Sequence, residues 1–155
     1  MTGDEAEPEG TSLEEIVEAF KKGIEQQVGE DDYHTRYNLA IAYKEMGLLD
    51  EAIGEFQSAS KDPGLLVECC SMLGVCFREK NLGSLATRWY RRGVEACNGR
   101  DDETSLGLRY DLAMLLVEMG EKQQALDLLT EVYGINSRFR DVASKLRELQ
   151  GATSA

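Results

Sequence analysis

Apolar residues recur along most of this chain at intervals of three and four, the spacing that gathers side chains on one face of an α-helix. Above this period lies a longer one. Tyr33–Lys61 and Val67–Glu95 align at a spacing of 34, and a third copy begins at Leu106 after about five extra residues across Asn98–Ser105. With the first residue of each copy as position 1, position 7 is Leu39, Leu73 and Leu112, and position 8 is Ala40, Gly74 and Ala113. Position 11 is Tyr43, Phe77 and Leu116, and position 20 is Ala52, Ala86 and Ala125. Position 24 is Phe56, Tyr90 and Leu129, and position 27 is Ala59, Gly93 and Val132. Small residues at positions 8 and 20 let two antiparallel helices approach closely, and positions 7, 11, 24 and 27 supply the packing around that contact. Position 15 is Gly47, Asn81 and Gly120, where the chain is expected to leave the first helix in a left-handed conformation.

The flanks fit a stack of such hairpins. Ser12-Leu-Glu-Glu15 is a capping box that predicts a leading helix to about Gln27, ending near Gly29. Its Ile16, Phe20 and Gly23 match positions 20, 24 and 27, as in the second helix of a truncated repeat. Ser137 opens a final helix to about Gln150, with Val142, Leu146 and Leu149 on one stripe and Arg138, Arg140, Lys145 and Arg147 largely off it. A terminal cap needs this design, because it must cover an open repeat face and present a polar outer side.

These residues resemble the tetratricopeptide repeat family over roughly residues 33–137. The chain departs from the family at position 4, often Trp there and Arg36, Cys70 and Arg109 here, and keeps the repeat-end proline only as Pro63. The resemblance implies an all-α fold, a right-handed α-solenoid of antiparallel helix hairpins. The expected organisation is an acidic disordered tail (1–11) and one solenoid domain (12–150), followed by a short disordered end (151–155). Within the solenoid the leading helix takes 12–28, the repeats about 33–64, 67–98 and 106–137, and the cap 138–150. The first full repeat is also loosely similar to segments of long bacterial proteins, some linked to envelope or pilus machinery, which suggests a bacterial source and a piece of a longer chain.

Composition narrows the function. Hydrophobic residues make up 42% of the 155, enough for a packed core, and 2 prolines leave room for long helices. No apolar run approaches the roughly 18 residues of a membrane span, and Met1–Gly10 lacks the basic and apolar regions of a signal peptide. A cytoplasmic protein without membrane insertion is expected. The net charge of −12 argues against nucleic acid as a partner, since phosphate binding needs a surplus of Lys and Arg. Residues 1–77 hold 17 acids and 5 bases, whereas 78–155 hold 12 of each, so the N-terminal half carries the whole surplus. That polarity reads as a solvated acidic face, or as a device for end-to-end stacking. Cys69, Cys70, Cys76 and Cys97 lack metal-ligand spacing and read as small buried thiols.

In a right-handed stack the first helices line a concave surface, on which positions 5, 9 and 12 cluster with 2 and 13 at the border. The candidate partner-binding groove is therefore His34, Tyr37, Ile41, Lys44, Ser71, Val75, Arg78, Tyr110, Met114 and Val117, with Glu45, Glu68, Glu79, Gly107 and Glu118 beside it. Some family members clamp a chaperone's C-terminal carboxylate with Lys, Asn and Arg at set positions. Here those positions are Tyr37, Ile41, Met72, Gly107 and Asp111, so the clamp is absent. What remains is an apolar stripe with Lys44 and Arg78 along it, suited to an amphipathic helix or extended segment with apolar anchors. The same stripe could instead be covered by the leading helix or by a second copy.

Other constellations carry less. Arg88-Trp-Tyr-Arg-Arg92 reads as a salt-bridged outer face, with a strip for an acidic partner as its alternative. His34 is the single histidine, so a histidine-based triad has one possible member, and no serine or cysteine sits in a nucleophile elbow. The runs Glu30-Asp-Asp32 and Asp101-Asp-Glu103 lack a calcium loop's alternating ligands and precede helix starts, where carboxylates complement the helix dipole. The expected protein is not an enzyme and has no cofactor or metal. It is a scaffold for a protein or peptide segment, or alternatively a self-associating module of a larger assembly.

Overall fold

The computed structural model describes residues 12–27, 29 and 32–154; the tail expected over 1–11 lies outside them. Among the described residues the chain forms eight α-helices and no strand. They are α1 (Leu13–Gln27), α2 (Tyr33–Glu45), α3 (Leu49–Ala59), α4 (Leu66–Glu79), α5 (Gly83–Ala96), α6 (Glu103–Glu118), α7 (Lys122–Ile135) and α8 (Val142–Ser154), with a 3-10 turn at Pro63–Leu65 leading into α4. Sequential packing defines the stack: α2 on α3, α4 on α5 and α6 on α7 form hairpins, and α3 on α4, α5 on α6 and α7 on α8 join them.

Local chemistry sets the helix ends. At α1, the Ser12 hydroxyl accepts from the Glu15 N–H at 3.0 Å while Glu15 Oε1 accepts from the Ser12 N–H at 2.9 Å, the reciprocal capping box. Asp32 caps α2 through the Thr35 N–H (3.2 Å), and Asp102 caps α6 through the Ser105 N–H (3.0 Å). Each first helix ends in a left-handed residue: Gly47 at φ +81, Asn81 at φ +62 and Gly120 at φ +82. The N–H groups of Leu48, Leu82 and Glu121 then turn back onto the carbonyls of Tyr43, Phe77 and Leu116.

The small positions seat the hairpins. Ala40, Ala52, Ala59, Ala86, Ala113 and Ala125 are wholly buried. The Tyr90 ring lies where a Cβ on Gly74 would project, and a Cβ on Gly93 would meet Leu108 Cδ2 at 2.6 Å and Cys70 Cβ at 2.9 Å. Two position-4 arginines replace an aromatic by spanning to the second helix of their hairpin. Arg36 meets Glu55 at 3.0 Å and Arg109 meets Glu131 at 3.0 Å, with Arg109 also bonded to Ser105. The four thiols are buried and free; burial pushes Cys69 up to about 12 and Cys70 and Cys76 up to about 11, which keeps those three protonated.

Two ends differ from the sequence reading. On α1 the buried apolar side chain is Val17, while Ile16 and Phe20 stay exposed, because among the described residues α1 has a helix on one side only. At the other end the last helix starts at Val142 rather than 137 or 138, and runs through 151–154 instead of stopping at 150. The delay has a local cause: Asn136 is extended, Arg140 is left-handed at φ +46, and Phe139 between them is buried. Residues 136–141 form a folded connection before the helix can begin.

Candidate functional site

The repeat register brings the candidate residues onto α2, α4 and α6, the first helices of the three hairpins. On α2, Tyr37 is half-buried with its ring edge-on to Phe56, centroids 5.5 Å apart, and burial raises its phenol pKa. Ile41 is half-buried one turn later. On α4, Ser71 and Val75 are half-buried, and on α6 Met114 is half-buried and Val117 exposed. His34 lies at the edge, largely exposed, its Nε2 3.6 Å from Asp62 Oδ2.

The two groove cations are already engaged. Lys44 Nζ lies 3.3 Å from Glu79 Oε2, and Arg78 bonds Glu118. Both pairs run from position 12 of one repeat to position 13 of the next, so they strap α2 to α4 and α4 to α6. The sequence held this signal in the recurring Lys/Arg–Glu pairing between adjacent copies, and a reading of each repeat by itself missed it. Being partly exposed, each strap is worth at most about 1 kcal/mol, so an acidic ligand group could exchange with it.

Tyr110 departs from the groove reading. It is buried, because residues 139–141 fold over it. Phe139 packs edge-on at 6.2 Å, the Arg140 guanidinium stacks 5.0 Å from the ring, and the hydroxyl bonds Asp141. Burial first, then the hydrogen bond to Asp141, pushes the Tyr110 phenol up to about 12. Arg140 also reaches Asp111 at 2.9 Å, and its guanidinium nitrogen stands 3.0 Å from where a Cβ on Gly107 would lie. The open stripe is therefore Tyr37, Ile41, Val75, Met114 and Val117, and the chain itself covers only the Tyr110 position on α6. Nothing in the hydrophobic pattern separated Phe139 from a residue of the final helix, so this plug was not foreseen.

No protein-family model matches the sequence, and no curated protein does. Solved structures do match. A crystal structure of MamA superposes with TM-score 0.73 at 17% identity, covering 99% of this chain and 85% of that one. Against a second MamA structure this chain spans 63% of the other's length, with TM-score 0.66 at 22% identity. The first tetratricopeptide domain of Spaghetti (RPAP3), bound to the HSP90 peptide SRMEEVD, gives TM-score 0.69 at 12% identity over 83% of this chain and 98% of that one. The fold is that of a tetratricopeptide-repeat module. The Yersinia enterocolitica secretion chaperone SycD, in complex with a peptide of the translocator YopD, gives TM-score 0.67 at 18% identity over 79% of this chain and 95% of that one.

Within this fold the described residues contain no group of three His, Cys, Asp or Glu placed to hold a metal ion, and no helix long and apolar enough to cross a membrane. Asp32 and Asp102, one from each acidic run, serve as helix caps. Of the Arg88–Arg92 strip, Tyr90 is core, Arg92 stacks 5.1 Å from Trp89 and Arg91 bonds Gln124. The salt bridges expected there are absent among the described residues, since no carboxylate pairs with these arginines.

Proposed function

We propose that this chain is a non-catalytic scaffold that binds an apolar-anchored segment of another protein along the first helices of its repeats. The observation that carries the reading is the stripe of half-buried Tyr37, Ile41, Val75 and Met114 on the first helices of the three hairpins, packed against the core yet still partly open to solvent. Core positions in the same helices, such as Ala40, Leu73 and Leu112, are almost wholly buried, so these side chains form a second apolar face. A face of this kind accepts an amphipathic helix or extended peptide through side chains rather than through a terminal carboxylate. Two structures of similar fold hold peptides, from HSP90 and YopD, which supports the class of partner but not its identity.

The test is selection from a displayed random-peptide library on the immobilised chain, followed by fluorescence anisotropy with the enriched peptides. Enrichment of apolar residues at regular spacing is expected. The Ile41→Glu/Met114→Glu variant should weaken the selected peptides by about tenfold or more, as a loss of about 1.4 kcal/mol implies, with helicity unchanged. Peptides that bind this variant as tightly as the parent would remove the stripe from the reading. Unfolding of the variant would show the stripe to be core.

A further inference from the structure

A second apolar face stands apart from the groove, on α1. In each full repeat, positions 20, 24 and 27 close on the first helix of the same hairpin and are buried, as Ala52, Phe56 and Ala59 illustrate. Their counterparts on α1 are Ile16, Phe20 and Gly23, and here Ile16 is 54% and Phe20 47% exposed, with Leu13 beside them at 62%. The inner edge of α1 is satisfied: Val17 is buried, and Phe20 meets Tyr43 edge-on at 6.1 Å. Among the described residues no helix covers this outer face.

The polar edge of the same face indicates an occupant. Alongside Leu13, Ile16, Phe20 and Gly23 runs the stripe Ser12, Glu15, Ala19, Lys22 and Gln26. This stripe is charge-antisymmetric about Ala19, with Glu15 towards one end and Lys22 towards the other. A helix with that pattern complements itself when reversed. A two-fold axis between Glu18 and Ala19 places Ile16 opposite Phe20 of a second copy and Glu15 opposite Lys22, twice over. Ala19 and Gly23, both small, allow the close approach that alanines give inside the other hairpins. We propose that a second copy of this chain covers α1, forming an antiparallel α1–α1 dimer that buries the exposed face of Leu13, Ile16 and Phe20 in each subunit. A two-fold contact of this type closes and adds no further copies. One helix pair is a small interface, and two acidic N-terminal halves repel each other, so the dimer is weak and forms best in salt.

Sedimentation of the full chain at about 0.15 M salt, where charges are screened beyond about 8 Å, tests this. A concentration-dependent monomer–dimer equilibrium is expected, and Phe20→Glu should be monomeric with unchanged helicity. Lys22→Glu leaves the cap and the apolar face intact but sets acid against acid at two places. It should raise the dimer dissociation constant about tenfold or more. Mixing Lys22→Glu with Glu15→Lys restores opposite charges at both places and should give a heterodimer, even if Glu15→Lys frays its own cap. The proposal is overturned if the parent chain stays monomeric, if Lys22→Glu dimerises as tightly as the parent, or if larger oligomers form that Phe20→Glu does not affect. Because α1 lies off the peptide stripe, this outcome is independent of the groove experiment.

Discussion

Among the glycines, conformation and contact call for opposite substitutions. Gly74 has an ordinary helical backbone, but the Tyr90 ring occupies the place of its missing Cβ, and Gly93 is pressed by Leu108 and Cys70. Gly74→Ala and Gly93→Ala therefore overpack a closed contact, and each should cost about 1–3 kcal/mol. Gly54, in the exposed middle of α3, has nothing within 4 Å of an added Cβ. Gly54→Ala should stabilise by about 0.5–1 kcal/mol through backbone entropy alone. Denaturant midpoints of the three variants check the prediction, and a destabilised Gly54→Ala would contradict it. Gly74 and Gly93 were legible in the sequence because they share positions with Ala40 and Ala59. The Tyr110 contact was not, since it depends on a connection that the repeat does not encode.

The same division holds for whole elements. α2 to α7 follow from periodicity, small positions and the residues that turn left-handed, all local signals repeated three times. The start of α8 was misplaced because Ser137 looks like a cap, while the chain spends 136–141 placing Phe139 against Tyr110 and stabilising left-handed Arg140 through Asp111. Phe139→Ala should cost about 3–5 kcal/mol by leaving a cavity, and should increase quenching of Tyr110 fluorescence by acrylamide. Unchanged quenching would mean that the connection does not cover this rung. The start of α6 makes a pH prediction. The Asp102 carboxyl is held below its ordinary 3.8, first by its hydrogen bond from Arg100 and then by the Ser105 N–H. A depressed folded pKa contributes stability that is complete above the unfolded value and lost as pH falls through the folded one. Asp102→Asn keeps an N-cap acceptor but removes that titration, so the loss of stability below about pH 4 should be shallower in the variant during an acid melt.

At the scale of the molecule, a solenoid's stability is approximately a sum over repeats and the contacts between neighbours, so its two ends can be compared directly. The C-terminal end is closed: Phe139, Val142 and Leu146 are buried, each worth about 1.5–3 kcal/mol as an upper estimate. The N-terminal end is open, since α1 buries Val17 but leaves Leu13, Ile16 and Phe20 largely in water. Deleting residues 136–155 removes a contribution comparable with the whole stability of a small domain, about 5–15 kcal/mol, and should leave a chain that is unfolded or molten at room temperature. Deleting residues 1–28 removes, among the described residues, one buried side chain, Val17, and should lower the melting midpoint by only a few degrees. Thermal melts monitored by circular dichroism at low protein concentration, where dimer is absent, measure both. A large loss from the N-terminal deletion under those conditions would show that α1 is integral to the stack, while a small loss leaves its exposed face available for another helix.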